Sequence, residues 1–137
     1  MDRRDFQQLA RLRLREAVAL MRLRLPSGAY YLAGYGVECA LKACIAKRTR
    51  RHEFPDKKKA EASYSHNLLQ LLNEAGIKSA FADKAQRDPS FKKNWDLVQS
   101  WSEQSRYEAH PMEAAESLLR AINDRSHGVL ACIRRHW

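Results

Sequence analysis

The sequence predicts an all-α fold, an up-and-down bundle of four to five helices forming a single domain over residues 1–137. Three observations carry this. Apolar residues recur at three- and four-residue steps along most of the chain, the spacing of a helix face. No stretch shows the two-residue alternation of a half-buried strand. Pro26, Pro55, Pro89 and Pro111 fall between the periodic stretches rather than inside them. The 137 residues suit one compact domain, and 45% hydrophobic against 30% charged residues is a globular balance.

Residues 5–25 form the first predicted helix. Phe6, Ala10, Leu14, Ala17, Val18, Met21 and Leu25 make one stripe, and Leu9, Leu12, Leu20 and Leu23 fall on the opposite side. Arg4, Arg11, Arg15 and Arg22 line an edge between them. Two apolar faces imply two partners, the domain core and a subunit interface. Pro26-Ser27-Gly28 is expected to break the chain before a second helix over 29–48. There Tyr30, Ala33, Gly34, Val37, Leu41, Cys44 and Ile45 supply the apolar side, and small residues at 33, 34, 36, 40 and 43 admit a close neighbour. Glu38 is a carboxylate among them. Either it pairs with Lys42 four residues on, or it is a partly buried acid that requires a cation from elsewhere in the fold.

Residues 47–59, KRTRRHEFPDKKK, carry seven basic side chains against Glu53 and Asp56 and read as an exposed basic loop. Such a run is either a solvated surface or a phosphate-contacting patch; Lys47, Arg48, Arg50 and Arg51 are its candidate contacts. Ser65 is expected to cap a short helix over 66–75 that buries Leu68, Leu69, Leu71 and Leu72, with Gly76 just past its end. Residues 77–88 are ambiguous, a short helix between loops being one reading. Pro89 opens a further helix with Phe91, Trp95, Leu97, Val98 and Trp101. After the polar run SEQSRYEAHP, Pro111 starts a last helix expected to continue through Leu118, Leu119, Ile122, Val129, Leu130 and Ile133. Gly128 would be a weak point inside it, costing about 1 kcal/mol relative to Ala.

Lys plus Arg is 25 and Asp plus Glu 16, a formal charge of +9. A domain this basic can hold polyanions by counterion release. Cys39, Cys44 and Cys132 form no CxxC pair, which predicts a reduced, cytoplasmic chain with Cys39 and Cys44 as small core residues. No apolar run is long enough to span a membrane, and the start, MDRRDFQQLARLRLRE, lacks the apolar region of a secretory signal. A P-loop, GxGxxG, HExxH and GxSxG are all missing, and the histidines at 52, 66, 110, 127 and 136 have no metal-ligand spacing. No metal and no cofactor are therefore expected.

The most suggestive cluster is Arg106-Tyr107-Glu108-Ala109-His110 at a helix junction. An arginine can hold a phosphate, a histidine can move a proton near neutral pH, and a tyrosine can stack on a base. Together they could cleave RNA without a metal, the ribose 2′-hydroxyl attacking its own phosphate. The structural alternative pairs Arg106 with Glu38, packs Tyr107 in the core and uses His110 to cap the last helix. Arg120 and His127, two turns apart in that predicted helix, form a second candidate pair on one face, or two solvent-facing polar residues.

The run GAYYLAGYGVECALKACIAKR resembles the second helix of small prokaryotic HEPN domains, the higher eukaryote and prokaryote nucleotide-binding domains. SHNLLQLL, the segment from Trp101 to Tyr107, the first helix and the long last helix are similar to the same pattern in the same order, over almost the whole chain. The resemblance implies a four- or five-helix bundle that forms a homodimer and binds RNA or nucleotides. It implies a metal-independent endoribonuclease of a toxin–antitoxin or defence system, or a non-catalytic partner subunit of a minimal nucleotidyltransferase; a plain structural bundle is the remaining alternative. Catalytic members carry an Arg and a His separated by four to six residues near the start of the last helix. Here Arg106 and His110 hold the family position with three residues between them, while Arg120 and His127 have a family spacing, six, further along. In an active member Arg106 would bind the phosphate, His110 would act as acid or base, and Glu38 would orient Arg106.

Overall fold

Asp2 begins the first helix by accepting the Asp5 N–H, while Asp5 accepts the Asp2 N–H in return, so two otherwise unpaired donors are satisfied. The computed structural model describes residues 1–49 and 57–137. Helix α1 spans Arg3–Arg22 and buries Ala10, Leu14 and Ala17. Arg24 takes φ +60°, the left-handed conformation that turns the chain, and Pro26 then stands at the start of α2 (Pro26–Arg48). The expected break at Pro26-Ser27-Gly28 is thus a helix start. Proline has no N–H to lose in a first turn, and its fixed φ already suits a helix. The turn itself lies at Leu23–Leu25, and Leu25 is exposed rather than part of the inner stripe.

Helix α2 is the axis of the domain. It buries Ala29, Ala33, Gly34, Gly36, Val37, Glu38, Cys39, Ala40, Leu41, Ala43 and Cys44, and elements on several sides pack against it. Its small residues make this possible. A Cβ on Gly36 would lie 2.8 Å from Leu14 Cγ, so glycine sets how closely α1 approaches. Burial pushes the Cys39 thiol up to about 12 and Cys44 to about 11, which makes both core residues, as expected, rather than reactive thiols.

The basic run expected as a loop is helical in part, since α3 spans Lys57–Ser63. Arg50 and Arg51 lie outside the described residues. Helix α4 (Leu68–Glu74) is capped by Asn67, not Ser65; the Asn67 side chain accepts the Gln70 N–H, and Ser65 Oγ accepts the Asn67 N–H. It buries Leu68, Leu71 and Leu72, whereas Leu69 is exposed. Gly76 ends the helix with φ +72° as expected. The ambiguous stretch is helix α5 (Lys78–Arg87), and Asp88 caps α6 (Pro89–Gln99). Phe81 of α5 meets Phe91 and Trp95 of α6 edge-on at 5.2 and 4.9 Å between centroids.

A 3₁₀ turn, Glu103–Tyr107, precedes α7 (Met112–Asn123) and α8 (Val129–Arg134). The expected single last helix is therefore two. The Asp124 side chain accepts the N–H groups of Ser126 and His127, an Asx turn that competes with helix, and Gly128 caps α8. A Cβ on Gly128 would lie 2.2 Å from the Asp124 carbonyl oxygen. Among the described residues the architecture is an all-helical bundle of eight α-helices, more finely divided than the four or five expected. No helix among them is long and apolar enough to cross a membrane.

Candidate functional site

The site grows from Glu38 on the central helix. Its side chain is 1% exposed, and its Oε1 accepts from Lys42 Nζ at 3.0 Å and lies 2.8 Å from His66 Nδ1. Lys42 is one turn along α2, the local partner that spacing allows. His66 comes from the connection between α3 and α4, where Ser65 and Asn67 fix the backbone on either side of it. The imidazole is half-exposed, and its Nε2 lies 3.5 Å from Glu103 Oε2. Glu103 Oε1 in turn accepts from the Arg106 guanidinium at 3.2 Å. The line of contacts runs from Lys42 through Glu38, His66 and Glu103 to Arg106.

Trp101 holds the 3₁₀ turn against α2. Its indole lies flat where a Gly34 side chain would be, a Cβ there falling 2.2 Å from two indole carbons. Arg106 and Tyr107 then project from the turn together, the guanidinium 5.1 Å from the Tyr107 ring centroid and the tyrosine 72% exposed. Four buried side-chain polar atoms among the described residues have no hydrogen-bond partner: Glu38 Oε2, Trp101 Nε1, Ser105 Oγ and His110 Nε2. All belong to α2 or to the 101–110 segment. Leaving a buried polar atom unpaired is costly, so these atoms do not contribute to stability.

The expected Arg106–Glu38 pair is corrected to an indirect link. Glu38 bonds Lys42 and His66, and Arg106 bonds Glu103. Tyr107 is not a core residue. His110 neither caps α7 nor joins the ion chain. Its ring stacks on Tyr30 at 3.8 Å and 14°, and its backbone N–H donates to Ser27 Oγ at 2.9 Å, tying the 3₁₀ segment to the start of α2. Glu108 Oε2 is 3.6 Å from its Nε2.

The second expected pair is also separated. Arg120 is exposed on α7 and bonds Glu116 at 3.3 Å, whereas His127 lies in the turn beyond that helix with Nδ1 2.7 Å from Asp88 Oδ2. They do not share a helix face because the helix ends between them. Of the expected phosphate contacts, Lys47 is exposed on the last turn of α2. Arg48 is also exposed, but it has a structural task, donating to the Glu74 carbonyl at 2.8 Å and lying across Gly76.

Sequence reasoning missed His66 and Glu103. The expected Glu38–Lys42 pair is present, but nothing in the spacing distinguishes His66, 28 residues from Glu38, as a second partner. Among the described residues no group of three or more His, Cys, Asp and Glu is arranged to hold a metal ion. The fold and site define an all-helical bundle with a line of polar and charged side chains, Lys42 to Arg106, beside its central helix. Comparison with protein-family models, curated proteins and solved structures found no match to this chain.

Proposed function

We propose that this chain is a HEPN-like helical domain that binds RNA or nucleotides at the Arg106–Tyr107 corner, in the cytoplasm and within a toxin–antitoxin or defence setting. The observation that carries the reading is the joint exposure of Arg106 and Tyr107 on one 3₁₀ turn, in a chain of charge +9. A guanidinium there can take a phosphate, and the adjacent phenol ring can stack on a base. The present partner of Arg106, Glu103, forms a surface bridge, and such bridges contribute little to stability. Filter retention of single-stranded RNA tests this. Arg106→Ala and Tyr107→Ala should each weaken binding by roughly 1–3 kcal/mol, and unchanged binding in both would sink the reading.

A second reading rests on a separate observation. Leu12, Leu23 and Leu25 are 44%, 69% and 53% exposed along the outer side of α1 and its following turn. That face suits a second copy of the chain in a homodimer, or a nucleotidyltransferase partner if the domain is a non-catalytic subunit.

A further inference from the structure

We infer that His66 makes the Arg106–Tyr107 corner pH-sensitive: on gaining a proton its imidazole takes hold of Glu103, and Arg106 is left free for phosphate. The inference rests on the RNA-binding reading above and goes beyond it by assigning how that site is regulated. Three elements meet at the imidazole. Glu38 and Lys42 come from α2, His66 from the connection between α3 and α4, and Glu103 and Arg106 from the 3₁₀ turn. These four charged side chains flank the ring among the described residues.

The contacts fix the tautomer of the neutral ring. Glu38 Oε1 lies 2.8 Å from Nδ1 and also accepts from Lys42. A carboxylate oxygen has only lone pairs to offer, so Nδ1 carries the hydrogen and Nε2 is bare. That bare nitrogen lies 3.5 Å from Glu103 Oε2. Two lone pairs then face each other, and Glu103 is left to the Arg106 guanidinium, which donates to its other oxygen at 3.2 Å. Protonation puts an N–H on Nε2. The ring can now donate to Glu103, and the contact becomes a charge-assisted hydrogen bond. One carboxylate then serves two cations where it served one. Its hold on the guanidinium weakens, and the negative charge that a phosphate would meet beside Arg106 is offset.

The surroundings suit this exchange. The imidazole, Glu103 and Arg106 are each partly exposed, so protons and RNA can reach them. Glu38 is 1% exposed and holds the ring in place in both charge states. His110 is not placed to act in this way, because its ring is stacked on Tyr30 and its charged neighbour is Glu108. RNA binding should therefore strengthen as pH falls through the range in which a histidine gains its proton.

The test is filter retention of an end-labelled single-stranded RNA at pH 8 and pH 6 at constant salt, with melting temperatures at both. The proteins are wild type, His66→Asn, Glu103→Gln and the variant carrying both changes. His66→Asn keeps an N–H for Glu38 but cannot take a proton. Glu103→Gln removes the charge that His66 and Arg106 share; its site is partly exposed, so it reports even where His66→Asn fails to fold. The remaining histidines are common to every variant. The expected result is a wild-type affinity at least about fivefold higher at pH 6 than at pH 8, beyond any change in His66→Asn. Glu103→Gln should bind at pH 8 as tightly as the wild type at pH 6 and respond to pH no more than His66→Asn does. The double variant should match it. A wild-type response no larger than that of His66→Asn overturns the inference. So does Glu103→Gln binding no tighter than wild type at pH 8, or a pH response that survives in it, since the proton then acts as an added charge and not through Arg106. In each of these cases RNA is retained and the binding reading stands. Failure of the wild type to retain RNA at either pH overturns both.

Discussion

Gly34 has no room for a side chain, because the Trp101 indole occupies the space a Cβ would need. Gly34→Ala should therefore push Trp101 off α2 and destabilise by about 1–3 kcal/mol, read by urea unfolding, with a changed near-UV spectrum from the displaced indole. The same variant should weaken RNA retention, since Trp101 seats the turn that presents Arg106 and Tyr107. Glu38 behaves differently. Removing it strands Lys42, whose side chain is only 15% exposed, so Glu38→Ala should cost about 3 kcal/mol. Glu38→Met combined with Lys42→Met, which removes both charges and keeps similar volumes, should be much closer to neutral than Glu38→Ala alone. A loss in the double variant as large as that of Glu38→Ala would show that the ion pair itself stabilises the fold.

At the scale of the element, the joint between α7 and α8 is built by two aspartates and a glycine. Gly128→Ala would force a methyl group into backbone carbonyl oxygens, which cannot yield as a side chain can, so a loss of about 2 kcal/mol or more is expected in thermal unfolding. Asp124 is held below the usual carboxylate range by the N–H groups of His127 and Ser126, and Asp88 by the His127 imidazole and the Phe91 N–H. The sign follows from linkage. Both groups contribute stability that is fully present above their ordinary value of 3.8 and lost as pH falls through their lower folded values. Asp124→Asn keeps an acceptor for the turn but cannot titrate. Its melting temperature should fall less steeply with acid than that of the wild type, and an identical acid limb would assign the effect to other groups.

For the whole molecule the questions are charge and association. RNA retention driven by a +9 chain should fall steeply with salt, and Arg106→Ala should reduce the slope of log affinity against log salt by about one. The outer side of α1 is the place to test association. Leu12 and Leu23 are exposed, so Leu12→Glu with Leu23→Glu should leave the melting temperature unchanged while converting a dimer to a monomer in sedimentation. If the wild type is already a monomer, the face is left to a different protein, as the partner-subunit reading holds.

The helical character of this chain, its buried cysteines and the presence of Glu38 at an apolar position were legible in the sequence, because the 3.6-residue period and residue size are local properties. The division of the last helix was not. Asn123–Gly128 reads as helix until the Asp124 side chain captures two backbone N–H groups and Gly128 packs against a carbonyl, both matters of three-dimensional fit. The surroundings of Glu38 were legible only in part. Lys42, four residues on, was one of the two partners the sequence offered, and it does bond Glu38, because that spacing is local. The second contact was decided by the connection between α3 and α4, which brings His66 to α2, and by the 3₁₀ turn, which sets Glu103 and Arg106 beside it. Helix spacing supplied the near partner, and tertiary packing chose the distant one.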